Sequence, residues 1–136
     1  MSTLHLEIVT PETRVFSGSA KFVVVSGVEG ELGILPEHMP LLTQVLPGEL
    51  HVTTEEGELV FAVGEGFLEV RPDRVSVLTD MALKDVEIDE HAAVEAVARA
   101  EEQISKGDLS DEELAIVQSS LLRSLAQLRV KRRTHS

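Results

Sequence analysis

The composition changes abruptly near residue 85, and this break constrains the fold more than any other feature of the sequence. Residues 1–84 hold eight of the nine glycines, all five prolines and all four phenylalanines, whereas residues 85–136 contain one glycine, Gly107, and no proline. Glycine and proline punctuate turns between short strands, while Ala, Leu, Glu and Arg favour helices. We therefore predict a β domain over residues 1–84 and an α-helical domain over residues 85–136.

Six segments of the first part have the residue types of short strands. They are Thr3–Thr10, Lys21–Ser26, Leu50–Thr54, Glu58–Val63, Phe67–Arg71 and Arg74–Thr79. Compact turn sequences, Glu55-Glu56-Gly57 and Pro72-Asp73, join two pairs of them. This spacing predicts an antiparallel β-sandwich or flattened barrel, in which Lys21–Ser26 is buried on both faces. The predicted apolar set is Leu6, Ile8, Phe22, Val24, Val63, Leu68, Val70 and Val77.

The second part predicts an antiparallel two-helix hairpin over about residues 88–133, so the whole chain is expected to be α+β. Asp89 is placed to cap the first helix, and Ser110 with Glu113 matches the capping box of the second. The narrow apolar stripe of the first helix is Val94, Val97, Ala98 and Ile104. The stripe of the second helix is Leu114, Val117, Leu121, Leu125 and Leu128.

Charge and composition exclude several classes of function. Asp and Glu number 24 against 12 Lys and Arg, for a net charge of -12, which disfavours nucleic acid and anionic lipid as partners. There is no Cys, so disulfides and thiolate chemistry are excluded. Residues 1–7 lack the features of a signal peptide, and no stretch of the sequence is long and apolar enough to span a bilayer. We therefore expect the chain to stay in a reducing, aqueous compartment.

Catalytic patterns are missing from the sequence. The five histidines form no H-x-x-x-H pair, no serine lies in a G-x-S-x-G context, and Gly27, Gly30 and Gly33 are followed by no G-K-[ST]. We predict no catalytic residue, no metal site and no cofactor. The residues by themselves favour an interaction protein, with a small hydrolase that uses a carboxylate pair as a disfavoured alternative.

Charge is also segregated within the helical part. Residues 85–113 contain 11 acids and two bases, whereas residues 114–136 contain five bases and no acidic side chain. The bases are Arg123, Arg129, Lys131, Arg132 and Arg133. Two interpretations stay open, namely helix-dipole complementarity with solvated faces, or a basic tip directed at an acidic partner.

One long motif connects the chain to a known family. Residues 30–43 read Gly-Glu-Leu-Gly-Ile-Leu-Pro-Glu-His-Met-Pro-Leu-Leu-Thr, and this stretch closely resembles the signature of the epsilon subunit of bacterial F-type ATP synthases, which is called delta in mitochondria. Residues 66–78, the segments Val9-Thr-Pro and Val15-Phe-Ser-Gly, and Ala-Gln-Leu-Arg129 match as well. The resemblance covers essentially the whole chain.

The resemblance implies a non-catalytic subunit of the central stalk. In that family the subunit couples the gamma subunit to the polar loops of the membrane c-ring, while the beta subunits carry the chemistry. Its helical hairpin folds against the sandwich or extends into the head of alpha and beta subunits, where it blocks hydrolysis. The implied location is peripheral, on the cytoplasmic face of the bacterial inner membrane. The alternative is a free-standing regulatory or adaptor module that reuses this sandwich.

The resemblance also implies roles for individual residues. Glu31 and His38 fall in the signature loop, where family members meet the c-ring and the foot of gamma. Met39 and Leu42 lie beside them as core or gamma-facing residues. The basic tip, Arg123 to Arg133, is expected to contact acidic segments of the beta subunits.

Some members of the family bind ATP through an I-D-x-x-R-A segment. Here Ile88 and Asp89 match that segment, but Ala92 replaces its arginine. Arg99 and Arg123 are the remaining cations that could approach a nucleotide. These four residues, Ile88, Asp89, Arg99 and Arg123, are therefore only weak candidates for an ATP site.

Overall fold

The computed structural model describes residues 3–27, 30–37 and 39–134, which form a curled β-sheet followed by two helices. The strands are β1 (Leu4–Val9), β2 (Arg14–Ala20), β3 (Phe22–Gly27), β4 (Gly30–Ile34), β5 (Leu41–Thr54), β6 (Gly57–Val63), β7 (Gly66–Val70), β8 (Arg74–Thr79) and β9 (Ala82–Lys84). A 3-10 turn at Asp85–Glu87 precedes the helices α1 (Glu90–Lys106) and α2 (Asp111–Thr134). The predicted α+β class is confirmed.

Strand β5 connects the two layers of the sandwich because it changes partner along its length. Its first half pairs with β7, with Leu41 opposite Val70, and its second half pairs with β6, with Thr54 opposite Gly57. One layer runs β2-β1-β8-β7-β5, and the other contains β5, β3, β4, β6 and β9. Among the described strands, β1 and β8 pair in parallel, as one exception to the predicted antiparallel pattern.

Alternation along the strands builds the core between the layers. Six members of the predicted apolar set are buried, namely Leu6, Ile8, Val63, Leu68, Val70 and Val77. Phe22 and Val24 are only half-buried, because β3 points Val23 and Val25 into the core. The prediction that Lys21–Ser26 is buried on both faces is therefore wrong.

Both predicted turns are present. Thr54 pairs with Gly57, whose φ of 130° suits glycine, so Glu55 and Glu56 form the tip of the β5–β6 hairpin. At the β7–β8 turn, the N–H of Arg71 donates to the carbonyl of Arg74 at 2.7 Å. These local bonds fix the registers that place the outward residues of the sheet.

Both helices begin where the sequence predicts. The Asp89 carboxylate accepts a hydrogen bond from the Ala92 N–H at 3.1 Å, and Gly107 ends α1 with a left-handed φ of 71°. At α2 the Glu113 N–H donates to Ser110 Oγ at 3.1 Å, and the Ser110 N–H donates to the Glu113 carboxylate at 3.0 Å. The bond from this backbone N–H, together with the bond to the Ser110 side chain, lowers the pKa of Glu113.

The buried face of α1 differs from its predicted stripe. Ala93 and Ala100 are buried, whereas Val94 and Ala98 are exposed. Small side chains let two helix backbones approach closely, and Ala100 lines the groove between α1 and α2. Val97 and Ile104 of the predicted stripe are half-buried, so the prediction holds for these two residues and is wrong for Val94 and Ala98.

Helix α2 has two contact faces, because α1 and the sheet both pack against it. Of the predicted stripe of α2, Leu128 is buried and Leu125 is exposed. The other three residues, Leu114, Val117 and Leu121, are half-buried. Towards the sheet, Val130 is fully buried in a small cluster with Ala62 and Ile88. The one-sided stripe therefore misses the residue that anchors α2 to the sandwich.

Candidate interaction surfaces

An end loop, residues 35–40, joins β4 to β5, and residues 35–37, 39 and 40 of it are described. Its apolar residues Leu35 and Met39 are 60% and 79% exposed. The Glu37 N–H donates to the Pro72 carbonyl at 2.6 Å, so the loop is tied to the β7–β8 turn. His38, predicted to lie at this contact, falls outside the described residues. The loop thus presents apolar side chains on a braced backbone.

Glu31 does not lie in this loop, contrary to the prediction. It belongs to β4, opposite Ser26 of β3, at the end of the strand away from residues 35–40. There it lines a groove beside the last turns of α2. Gly30, whose φ is 111°, is the first residue of this strand, and Glu31 is the second. The signature motif therefore spans two separate surfaces.

A sheet-face patch, defined by Leu42, Phe67 and Leu78, lies on the outward side of the first layer. These side chains are 69%, 56% and 51% exposed. Phe67 pairs with Leu78 across β7 and β8, and Leu42 lies two residues before Gln44, the partner of Phe67 on β5. Large apolar side chains that cluster on an exposed sheet are typical of protein–protein contact.

Phe67 and Leu78 are surface residues that the sequence patterns above do not predict. The alternation of side chains along a strand could have predicted them. Leu68 and Val77 are buried, so their neighbours Phe67 and Leu78 must face outward. Leu42 was predicted as a contact or core residue, and the structure places it on the exposed face.

Polar and ionic contacts nearer the start of α2 add to the small apolar anchor that Val130 forms with Ala62 and Ile88. The Ser119 hydroxyl donates to the Glu65 carboxylate at 2.8 Å, and an Arg123 guanidinium N–H donates to the Asp80 carboxylate at 3.0 Å. Because the apolar contact is small, docking of α2 also depends on these hydrogen bonds and ion pairs, each of which contributes little by itself.

Four of the five residues of the basic tip bind groups of their own chain. Beyond Arg123, the Lys131 ammonium donates to the Asp85 carbonyl at 3.0 Å, and Arg132 lies 3.6 Å from Glu90 of α1. Arg133 donates to both carboxylate oxygens of Glu49, at 2.8 and 2.9 Å. Arg129 is exposed beside them in the groove that Glu31 lines. In this conformation the tip is directed largely at the sandwich and α1.

The four candidates for an ATP site are not gathered around one cavity. Ile88 is buried beneath α2, and the Asp89 carboxylate caps α1. Arg99 lies in the groove between the helices and is 3.8 Å from Glu95, whereas Arg123 faces the sheet at Asp80. A nucleotide would therefore need these side chains to rearrange.

Within the described residues no group of three or more His, Asp or Glu side chains is arranged to hold a metal ion. Among the same residues, neither helix is long and apolar enough to cross a membrane.

Comparison with known proteins places the chain in a family. Residues 3–85 match the family described as ATP synthase, Delta/Epsilon chain, beta-sandwich domain, and residues 87–132 match its long alpha-helix domain. The chain is 40% identical to the ATP synthase epsilon chain of Laribacter hongkongensis, over 99% of its length and all of the relative. It is 44% identical to the epsilon chain of Halorhodospira halophila, over 95% of this chain and 92% of the relative.

Solved structures share the fold. A chain of the mitochondrial ATP synthase of Euglena gracilis superposes with a TM-score of 0.77 at 19% identity, covering all of this chain and 83% of its own length. A chain from the central stalk and c-ring structure of the Tetrahymena thermophila mitochondrial ATP synthase superposes with a TM-score of 0.57 at 15% identity. The match covers 98% of this chain and 96% of the Tetrahymena chain. Together with the two family matches and the relatives named ATP synthase epsilon chain, the sandwich with its helical hairpin defines the class, a non-catalytic subunit of an ATP synthase. The chain belongs to the ATP synthase delta/epsilon chain family.

Proposed function

We propose that this chain is the rotor subunit that joins gamma to the c-ring, with the sheet-face patch as the contact for gamma. The observation that carries the proposal is the separation of two exposed apolar surfaces on one packed body. Leu42, Phe67 and Leu78 lie on a sheet face, whereas Leu35 and Met39 lie at one end. Close-packed interiors resist deformation, so such a body can pass torque between two partners.

Co-purification tests this assignment. The chain, expressed with the other subunits of its ATP synthase, should be retained by tagged gamma and by the assembled c-ring complex. Failure to bind gamma under conditions where alpha and beta assemble would overturn the proposal. The complex would hold the chain peripherally, on the cytoplasmic side of the membrane in a bacterium.

The end loop is proposed to meet the polar loops of the c-ring. Leu35→Glu with Met39→Glu should leave binding to gamma unchanged and lower ion-driven ATP synthesis, because two acids replace apolar contacts at this end. Synthesis driven by an imposed ion gradient, with binding to gamma measured in parallel, checks this. Normal synthesis by the double variant would exclude the loop from coupling.

Glu31 provides a comparison variant. Because Glu31 lies beside α2 and not in the end loop, Glu31→Lys should change docking of the hairpin more than coupling. A coupling defect that equals that of the loop variants would contradict this separation.

Docking of the hairpin is proposed to regulate hydrolysis. The apolar anchor of α2 is small, so an alternative contact with gamma and the catalytic head can compete with it. In the docked state the basic tip pairs with Glu49, Asp80 and Glu90. In the extended state it would instead face acidic segments of the beta subunits.

ATP is expected to bind the isolated chain weakly or not at all. Ala92 is exposed at the start of α1, where a charged phosphate donor is missing. A charged hydrogen bond contributes roughly 1.5–3 kcal/mol, so Ala92→Arg should raise ATP affinity by about tenfold or more. Titration calorimetry on both forms checks this. Tight, saturable binding by the unaltered chain would contradict it.

A further inference from the structure

Glu49 of β5 is shared by two basic side chains from different parts of the molecule. Arg133 of α2 donates from Nε to Glu49 Oε1 at 2.8 Å and from an NH2 group to Oε2 at 2.9 Å. His51 Nε2 lies 3.1 Å from the same Oε1 atom. The Glu49 side chain is only 11% exposed, so water screens this contact incompletely.

His51 also faces Glu58 of β6, whose Oε1 lies 3.1 Å from Nδ1. Both ring nitrogens therefore lie within hydrogen-bond distance of a carboxylate, and only the imidazolium form donates to both. The charged residues that line the groove of about 410 Å³ around His51 are Glu31, Glu49, Glu58, Arg129 and Arg133. The three acids belong to the sheet, and the two guanidinium groups belong to α2.

Docking of α2 therefore brings positive charge to His51. From residue 114 onward the chain carries no acidic side chain that could offset it. A protonated His51 repels the approaching guanidinium groups and competes with Arg133 for Glu49. The sheet without α2 would surround His51 with carboxylates, which favour its protonation.

We propose that docking of α2 and protonation of His51 oppose each other, because Arg133 and His51 share the Glu49 carboxylate. Protonation of His51 therefore weakens docking of the hairpin on the sandwich. The docked state binds the proton of His51 less tightly than the undocked state. The corresponding part of the docking free energy is therefore present at higher pH and is lost as pH falls through the titration of His51. Histidine titrates between about pH 5 and 8, which sets the window. The inference concerns the isolated chain and does not depend on the proposed role in the rotor.

The expected effect is modest but measurable. His51 Nε2 and Arg133 Nε both contact Glu49 Oε1, at 3.1 and 2.8 Å. The two nitrogens are therefore no farther apart than these two contact distances added together. At that separation, even with the full screening of water, one unit charge shifts a titration midpoint by about half a pH unit. Linkage makes this equal to about a threefold change in the docking equilibrium.

Ring NMR of His51 in the full chain tests the coupling. In Arg133→Gln the His51 midpoint should rise by about half a pH unit, and in Arg133→Lys, which keeps the charge, it should stay near that of the unaltered chain. Arg132→Gln is the matched control, because it removes the same charge from the same turn of α2 at a side chain that pairs with Glu90 of α1. Equal midpoints in Arg133→Gln and Arg132→Gln would overturn the proposal.

A second measurement reads docking directly. The chain has no native Cys, so spin labels can be placed on cysteines introduced at the exposed Glu56 and Gln118. The undocked fraction should rise about threefold from pH 8 to pH 5.5 in the unaltered chain and in His5→Gln, a control whose histidine pairs with Glu7 on the other layer. His51→Gln should show no such change. Retention of the full pH dependence in His51→Gln would overturn the proposal.

Discussion

Replacement of Phe67 and Leu78 by glutamate is expected to weaken binding to gamma at least 100-fold while the chain stays folded. Full burial of each apolar side chain contributes roughly 1.5–3 kcal/mol, and two acids in a desolvated contact cost more. Both residues are more than half exposed in the isolated chain, so their replacement leaves its core intact. Binding to purified gamma by calorimetry, with thermal unfolding of each variant alone, measures both effects.

Val86→Glu is the matched control for the sheet-face patch. Val86 is 74% exposed in the 3-10 turn, which follows β9 of the other layer. The control should bind gamma normally, because it adds an acid without removing a contact. Equal affinity of the double variant and Val86→Glu would show that gamma binds elsewhere.

Removal and undocking of the hairpin are expected to change ATP hydrolysis in opposite directions. Truncation after Glu87 removes the helices that we propose to inhibit hydrolysis, so the assembled complex should hydrolyse ATP faster. Ile88→Asp and Val130→Asp should instead free the hairpin to extend, and hydrolysis should fall. Both residues are buried in the contact between hairpin and sheet, where an acid costs about 2–4 kcal/mol, on the order of 100-fold in docking.

The two undocking variants control for each other. Val130 lies on α2 and could also contact gamma in an extended state, whereas Ile88 precedes α1. Faster hydrolysis after truncation with slower hydrolysis in Ile88→Asp would support regulation by docking. Equal rates in all forms, at matched assembly, would show that the hairpin does not inhibit.

The truncation point depends on the tertiary structure. The end of the strand pattern predicts truncation after Ala82 or Leu83, but β9 extends to Lys84, which pairs with Phe61 of β6. A cut at residue 82 or 83 would remove part of a paired strand. Glu87 is a better end point, because the Lys84 N–H donates to its carboxylate at 2.9 Å. Division of the chain into independent domains at residues 84 and 85 stays a prediction that this truncation tests.

Local features were predictable from the sequence because each depends on neighbouring residues. The cap at Asp89, the capping box at Ser110 and the turn at Pro72-Asp73 all follow from side-chain chemistry within four residues. The composition break near residue 85 likewise determined the order of β and α parts, since backbone preferences act along the chain.

Long-range placement was decided only by the tertiary structure. Glu31 and Met39 share one motif, yet β4 separates them onto different surfaces. Phe67 and Leu78 become a patch only because β7 and β8 pair in a register that puts both on the outward face. Arg133 meets Glu49 across 84 positions of sequence, because α2 folds back over β5. Such contacts depend on how the elements pack, and the periodicity of one segment carries no information about the surface that another segment will present to it.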